Sequence, residues 1–204
     1  MSSALIIFAK APFAGLAKTR LIPALGPEGA AALAERMLRH AVGQALISGC
    51  ETVELCVTPD ATHPAFARLV AQSGGGLLLS EQGAGDLGQR MDRAITRALQ
   101  LHGRALLMGT DAPGLNATVL RAADVALGSH DAVFVPALDG GYALVGLTHP
   151  QSDFFVDMVW STPHVMAHTR ARMQAAGLRW AELDPVADID EPPDLAHLPP
   201  GWLQ

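Results

Sequence analysis

Short apolar segments that suit β-strands alternate with segments that repeat apolar residues at helical spacing along almost the whole chain. Residues 4–9 form the first strand-type run, and residues 27–48 form the first helix-type segment, in which Leu33, Met37 and Ala41 share one face. Further strands are expected at 52–58, 76–79, 104–108, 132–135, 142–147 and 178–183, with helices at 64–72, 87–99, 116–127 and 163–176. Asn116 is placed to cap the helix at 116–127, and Ser161-Thr162-Pro163 offers a cap for the helix at 163–176. The proline-rich C-terminal end is expected to be an irregular tail. The order of strands and helices predicts a single α/β domain over residues 1–204, with a mainly parallel mixed sheet and helices on both faces.

Composition supports a large buried core and limits the classes of partner. Hydrophobic residues make up 50% of the chain and charged residues 17%, against about 25% in typical domains, so a disordered chain is excluded. A net charge of -6 disfavours nucleic acid as a partner. No run approaches the ~20 apolar residues of a membrane span. With only Cys50 and Cys56, both expected to be reduced, we expect a cytoplasmic protein without a membrane span. No sequence signal indicates a particular oligomeric state.

The loop after the first strand, residues 9–21, concentrates positive charge where α/β sheets bind ligands. Lys10, Lys18 and Arg20 lie there together with Gly15, in a chain that has only 14 Lys and Arg residues. A P-loop is excluded because no glycine directly precedes Lys18. The loop is either a set of solvated charges or an anion-binding cradle, and the density of cations favours the cradle.

Three later segments could also carry chemistry, although each has an ordinary structural explanation. Asp111 follows the strand at 104–108 and either binds a ligand or caps a turn before Pro113. Gly140 and Gly141 either allow close approach of a ligand or form a hairpin turn. The carboxylates near the C-terminus are either a solvated tail or ligands for a hard cation; they are Asp184, Asp188, Asp190, Glu191 and Asp194.

Oxygen ligands favour Mg²⁺ or Mn²⁺ over zinc at this protein's candidate site. Asp111 and Asp190 together could supply the one or two carboxylates that Mg²⁺ uses beside phosphate oxygens. His164 and His168 have the spacing of two ligands on one helix face, but no third ligand accompanies them. We therefore expect Asp111 and Asp190 to face one cleft, with Asp188 as the alternative second ligand.

Six motifs follow one another along the chain: Lys18-Thr19-Arg20-Leu21, Gly85-Asp86-Leu87-Gly88-Gln89-Arg90-Met91, Gly109-Thr110-Asp111-Ala112-Pro113, Asp139-Gly140-Gly141-Tyr142, Trp160-Ser161-Thr162 and Asp188-Ile189-Asp190. In this order they resemble one family, the bacterial DUF2064 family of GT-A-like nucleotide-diphospho-sugar transferases, which is related to the guanylyltransferases of cofactor biosynthesis. The resemblance spans residues 4 to about 195. One departure is Glu191, where related sequences often carry threonine.

The resemblance implies a Rossmann-like fold in which the first loop holds a nucleotide and a divalent metal bridges its phosphates to an aspartate. Asp111 matches that aspartate, and Asp190 matches the late acidic position that completes the metal shell. Lys18 and Arg20 would neutralise the phosphates, so the catalytic set is Lys18, Arg20 and Asp111. The expected nucleotide-binding residues are Ala9, Lys10, Gly15, Lys18, Asp86, Gly88 and Arg90.

The acceptor is expected on the other side of the cleft. Glycines there would let the backbone reach the transferred group, and Trp160 would offer a stacking surface. The expected acceptor-binding residues are Asp139, Gly140, Gly141, Tyr142, Trp160 and Thr162.

Two transferase reactions fit these expectations. The family name favours glycosyl transfer from a nucleotide-diphospho-sugar to a small-molecule acceptor. The cation-rich first loop favours nucleotidyl transfer from an NTP to a phosphorylated acceptor, with release of pyrophosphate. A non-catalytic nucleotide-binding module is the alternative from another class, and the presence of both carboxylates and all three loop cations counts against it.

Overall fold

The computed structural model describes residues 2–203, which contain a seven-stranded sheet and five α-helices. The strands are β1 (Ser3–Lys10), β2 (Thr52–Thr58), β3 (Leu78–Glu81), β4 (Arg104–Met108), β5 (Ala132–Pro136), β6 (Tyr142–Leu147) and β7 (Trp180–Glu182). The helices are α1 (Ile22–Leu46), α2 (Pro64–Gln72), α3 (Leu87–Leu99), α4 (Ala117–Ala126) and α5 (Val165–Ala175). The strand order is β3-β2-β1-β4-β6-β5-β7.

Every strand pair in the sheet is parallel except the two pairs made by β6, which runs antiparallel to both β4 and β5. The predicted mainly parallel mixed sheet is therefore confirmed. Because β6 alone is reversed, its first residues lie at the same edge as the carboxyl ends of β1, β4, β5 and β7. This edge is where α/β sheets bind ligands.

Helices cover both faces of the sheet, as predicted, because neighbouring strand residues point in opposite directions. On β1, Ile7 packs with Leu55 and with Phe66 of α2. The adjacent Ile6 packs on the other face with Ile95 of α3. Within residues 2–203, no helix combines the length and apolar character needed to span a bilayer.

Helix termini follow the expected capping chemistry at Asn116 but not at Ser161. The Asn116 side chain accepts hydrogen bonds from the backbone N–H groups of Thr118 and Val119, which confirms the predicted cap of α4. Ser161 instead has a positive φ of 60°, and the Thr162 hydroxyl donates to Val159 O at 3.0 Å. The predicted cap of α5 is thus wrong, and the helix begins later, at Val165.

Three further segments differ from their predictions. The third strand begins at Leu78 because positive φ angles at Gly74 and Gly75 keep the chain turning. The first helix has an extra turn from Ile22, with a kink at Gly26, where φ is 71°. The C-terminal segment, expected as an irregular tail, forms a 3₁₀ helix over Pro192–His197. After it, residues such as Leu198 and Trp202 pack against α1.

Candidate active site

Lys18 belongs to the loop that follows β1 and lies between Asp111 and the segment around Asp190. We call this region, with Lys18, Arg20, Asp111 and Asp190, the loop end of the site. The Lys18 ammonium group donates to the backbone oxygen of Ile189 at 2.6 Å and lies 3.0 Å from Asp111 Oδ2 and 3.7 Å from Asp190 Oδ1. The side chain is only 7% exposed, and its backbone is left-handed, with a φ of 48°. A non-glycine residue in this conformation costs about 1–3 kcal/mol and often marks a functional position.

A backbone hydrogen bond brings the C-terminal segment to the sheet edge. The N–H of Ile189 donates to Asp111 O at 2.9 Å, and the Ile189 side chain is fully buried. Arg20 then pairs with Asp190 at 2.6 Å and approaches Glu191 at 3.8 Å. The turn is held by Asp194, whose carboxylate accepts from the N–H groups of Asp190 and Glu191. The chain thus positions Asp190 through buried and hydrogen-bonded neighbours.

The geometry at Lys18 bounds the separation of the two expected metal ligands. Because Lys18 Nζ lies 3.0 Å from Asp111 and 3.7 Å from Asp190, the two carboxylate oxygens lie at most about 6.7 Å apart. Asp111 is 54% exposed and Asp190 is 39% exposed, so both remain accessible to a ligand. Among residues 2–203, no group of three His, Cys, Asp or Glu side chains is arranged to hold a metal ion.

Two carboxylates fit a hard cation only if the substrate supplies further oxygens, as phosphates commonly do for Mg²⁺. In the free protein the Lys18 ammonium supplies the positive charge between Asp111 and Asp190. Asp111 and Asp190 as metal ligands stay a prediction.

A cleft of about 290 Å³ opens beside Asp111, between α3 and the start of β6. Its walls are mostly apolar, and Asp111, Asp139 and Asp188 add three carboxylates. Asp190 does not line this cleft; it lines an adjoining hollow together with Arg20. Asp139 and Asp188 border both spaces. The cleft and the hollow therefore meet at these two carboxylates.

The turn between β5 and β6 forms one wall of the cleft, with Asp139, Gly141 and Tyr142 lining it. The Asp139 carboxylate accepts from Gly141 N–H at 2.8 Å. Gly140 has a φ of 93°, and a Cβ there would overlap the backbone of Pro163. The glycine therefore allows the turn to pack against the segment that precedes α5. Gly140 and Gly141 therefore form a hairpin turn, as one interpretation of the sequence expected, and the same turn lines the cleft.

Aromatic side chains form one corner of the cleft. The rings of Tyr142 and Trp160 lie 6.3 Å apart at an interplanar angle of 83°, and Thr162 lines the same wall. Burial raises the pKa of the Tyr142 phenol above its usual value, so this group stays protonated. This corner of the cleft thus combines two aromatic ring surfaces with a neutral phenol.

Asp188, named only as an alternative ligand from the sequence, is the late carboxylate that reaches the cleft. Burial raises the pKa of this carboxyl, and the nearby charges of Asp139 and Asp194 raise it further, whereas Lys18 acts in the opposite direction. The Asp188-Ile189-Asp190 pattern was the available signal. From that pattern Asp190 was expected to face the cleft with Asp111, whereas Asp188 lines the cleft and Asp190 lines the adjoining hollow.

The segment at the start of α3 makes local structural contacts, and nucleotide binding by Asp86, Gly88 and Arg90 stays a prediction. Asp86 caps α3 by accepting from Gln89 N–H, and Gly88 lies where a Cβ would overlap the Phe155 backbone. Arg90 donates to Gln82 Oε1 at 2.9 Å. Leu87 and Met91 of this segment line the cleft. They were missed as site residues from the sequence, because their helical spacing indicated only a buried helix face.

The remaining expected nucleotide-binding residues lie along the first loop. Ala9 is buried, and its carbonyl accepts from Gln82 Nε2 at 3.4 Å. Lys10 donates to Leu16 O at 2.9 Å and so closes the loop, while Gly15 is exposed with a φ of 78°. Nucleotide binding by Ala9, Lys10 and Gly15 stays a prediction.

A family model described as an uncharacterized protein conserved in bacteria (DUF2064) matches residues 37–162. The chain belongs to this family. Membership of the DUF2064 family, predicted from the six motifs, is therefore confirmed. Among curated proteins, none matches the chain significantly.

Solved structures agree with this assignment. A protein from Desulfovibrio desulfuricans G20, provisionally named a nucleotide-diphospho-sugar transferase, is 31% identical with a TM-score of 0.86, over 96% of this chain and 85% of that one. A CMP:2-keto-3-deoxy-manno-octonic acid synthetase complexed with CTP is 9% identical with a TM-score of 0.57, over 97% and 96%. Rv0371c from Mycobacterium tuberculosis H37Rv, complexed with manganese, is 17% identical with a TM-score of 0.55, over 97% and 98%. The last two show likeness of fold alone.

Proposed function

We propose that this DUF2064 protein is a metal-dependent transferase that moves a glycosyl group from a nucleotide-diphospho-sugar to a small-molecule acceptor. The observation that carries the proposal is the meeting of Lys18 with Asp111 and Asp190 at the carboxyl edge of the sheet. Cations for a diphosphate and carboxylates for a divalent ion lie together there. The 31% identical Desulfovibrio protein, provisionally named a nucleotide-diphospho-sugar transferase, supports the choice of donor.

Lys18 and Arg20 change partners during donor binding in this scheme. In the free protein they pair with Asp111 and Asp190. A diphosphate offers more concentrated negative charge, so its oxygens replace the carboxylates as partners of the two cations. Asp111 and Asp190 are then free to hold Mg²⁺ or Mn²⁺. A divalent ion bound there would stabilise the charge that develops on the leaving diphosphate.

The transfer itself requires positioning rather than a nucleophilic side chain. The acceptor hydroxyl oxygen forms a bond to the anomeric carbon while the bond from that carbon to the diphosphate oxygen breaks. The nucleoside diphosphate leaves with the bonding electrons, and the hydroxyl proton passes to solvent. Asp139, Gly141, Tyr142, Trp160 and Thr162 would hold the acceptor because they line the cleft beside Asp111.

Nucleotidyl transfer from an NTP is the second candidate, and the density of cations in the first loop favours it. Lys10, Lys18 and Arg20 suit the larger charge of a triphosphate. A neighbour of the same fold is a synthetase complexed with CTP. We place either reaction in the cytoplasm, because Cys50 and Cys56 are both free thiols.

The test is a turnover assay that separates the two reactions. Purified protein is incubated with UDP- and GDP-sugars, and separately with each NTP plus labelled pyrophosphate, with Mg²⁺ or Mn²⁺ present or chelated. Metal-dependent release of UDP or GDP supports glycosyl transfer. Exchange of pyrophosphate into an NTP would assign nucleotidyl transfer instead. Neither product with any donor would contradict the transferase proposal.

A further inference from the structure

The charge of the cleft indicates what kind of acceptor it can hold. Among the side chains of residues 2–203 that line it, three are carboxylates and none is Lys, Arg or His. Lys18 and Arg20 do not line the cleft, and in the proposed function both cations serve the diphosphate of the donor. An anionic group in the cleft would therefore meet carboxylates without a matching cation.

The glycine N–H groups beside the cleft do not supply the missing positive charge. At the turn beside the cleft, the N–H of Gly140 donates to Ala137 O at 3.1 Å, and the N–H of Gly141 donates to Asp139 Oδ1 at 2.8 Å. The N–H of Gly109 donates to Ala143 O at 3.1 Å. Successive glycine N–H groups can form an anion-binding nest only when they are free to point at the anion. Here all three are engaged within the protein.

We propose that the cleft selects an acceptor without phosphate, namely an uncharged ring compound that carries hydroxyl groups and has one apolar face. This inference rests on the proposed function, since it takes the cleft as the acceptor side of a transferase. It also weighs against the nucleotidyltransferase alternative, whose expected acceptor is phosphorylated.

The walls of the cleft match such a compound on both its polar and its apolar side. Carboxylates accept hydrogen bonds from hydroxyl groups, and Asp139 and Asp188 are placed to do so. The cleft also presents the rings of Tyr142 and Trp160 at an interplanar angle of 83°, and Leu87 and Met91 add apolar surface to its lining. A ring of C–H groups packs well on such surfaces. At about 290 Å³ the cleft lies at the small end of ligand pockets, which suits one ring.

Ligand-observed NMR without nucleotide tests the proposal directly. The probes are methyl β-D-glucopyranoside, methyl α-D-mannopyranoside and myo-inositol, each paired with a phosphorylated counterpart: glucose 6-phosphate, mannose 6-phosphate and inositol 1-phosphate. Saturation transfer is measured for the wild type and for Trp160→Ala. The part of the signal that this variant loses is assigned to binding in the cleft. At least one neutral probe is expected to bind about tenfold more tightly than its phosphorylated partner.

Charge variants sharpen the test. Asp139→Asn is expected to narrow the preference for the neutral probe about threefold or more, because one repulsive charge is removed. The matched control is Asp153→Asn, an exposed aspartate outside the cleft, which should leave the preference unchanged. Trp160→Phe should restore part of the signal that Trp160→Ala loses. If Trp160→Ala unfolds, Trp160→Phe and Asp139→Asn still report on the cleft.

Two results would overturn the proposal. One is cleft binding of a phosphorylated probe as tight as that of its neutral partner; the other is the absence of cleft binding by every neutral probe. Nucleotide binding, measured separately by calorimetry with UDP and GDP, reports on the proposed function. If the protein binds a neutral ring compound but neither UDP nor GDP, the donor assignment is refuted and the proposed acceptor class is still supported.

Discussion

The loop end of the site and the aromatic cleft are held in place by different kinds of contact. At the loop end, Lys18 and Arg20 reach across 171 and 170 positions of sequence to the Ile189 carbonyl and the Asp190 carboxylate. In the cleft, the glycine turn, Tyr142 and Trp160 come from one hairpin and the segment that follows it. One region is assembled by long-range ion pairs, the other by backbone packing.

This difference indicates which part of the site can rearrange. The Arg20–Asp190 pair, with side chains 60% and 39% exposed, can exchange partners when a stronger anion arrives, since water screens its contribution. The cleft cannot rearrange as easily, because Gly140 packs directly against the Pro163 backbone. We therefore expect changes at the loop end to alter donor binding, and changes in the cleft to alter stability and acceptor choice.

The largest effect is expected from Asp111→Asn, which keeps the shape of the side chain but removes its charge. Metal-dependent turnover should fall about 10²–10³-fold, comparable to loss of a group that stabilises transition-state charge. The measurement is product release with Mn²⁺, alongside circular dichroism to check the fold. Asp153→Asn is the control and should retain full turnover. Unchanged turnover in Asp111→Asn would remove this residue from the reaction.

Two glycine variants compare the rigidity of the two regions. Gly140→Ala places a Cβ against Pro163 at a φ of 93° and should lower the free energy of unfolding by about 3 kcal/mol or more. Gly15→Ala, at a φ of 78° but with open space around it, should cost only about 1–2 kcal/mol. Urea denaturation measures both. Equal losses would show that the turn does not depend on its packing against Pro163.

Lys18→Ala and Arg20→Ala test the exchange of partners at the loop end. Each should weaken binding of a nucleoside diphosphate about 10- to 100-fold and leave binding of the bare nucleoside nearly unchanged. Calorimetry with UDP or GDP and with uridine or guanosine gives the ratio. Glu35 pairs with Arg68 away from this edge, so Arg68→Ala is a matched control. Similar losses for nucleoside and nucleotide would place these cations away from the phosphates.

The smallest effect concerns Asp188, whose raised pKa makes its ionised form unfavourable in the folded protein. A carboxyl with a raised folded-state pKa contributes most to stability at acidic pH, and that contribution is lost as the pH rises through this pKa. Asp188→Asn should therefore stabilise the protein at neutral pH relative to the wild type, by less than about 1 kcal/mol because the group is half-exposed. Thermal melts at pH 4 and pH 7 measure the difference. A destabilised variant at pH 7 would contradict this reading.

Local sequence patterns predicted the elements of the fold well, because alternation and helical spacing reflect which faces are buried. Leu87, Met91 and Ile95 marked α3 correctly, and Asn116 marked the start of α4. The start of α5 was missed, because Ser161 has the composition of a cap but a positive φ. Capping residues indicate a helix start only when the backbone leads into the helix.

The site was less predictable, since its contacts join distant segments. The sequence suggested that Asp190 would approach Asp111, but it gave no sign that Lys18 would lie between them. The sequence also favoured Asp190 over Asp188 for the cleft, because it could not show the burial of Ile189 and the hydrogen bond of its N–H to Asp111 O. The role of Gly88 was also hidden, as it follows from contact with Phe155.

The central claim is that a nucleotide and a divalent ion meet at Asp111 after Lys18 has released it. Electron paramagnetic resonance of Mn²⁺, titrated with and without UDP or GDP, tests this most directly. In the free protein Lys18 forms ion pairs with Asp111 and Asp190. Mn²⁺ should therefore bind weakly alone and at least about tenfold more tightly in the presence of UDP or GDP. Lys18→Ala should raise the affinity for Mn²⁺ alone. Equal Mn²⁺ affinity with and without either nucleotide, in a protein that binds the nucleotide, would contradict the claim.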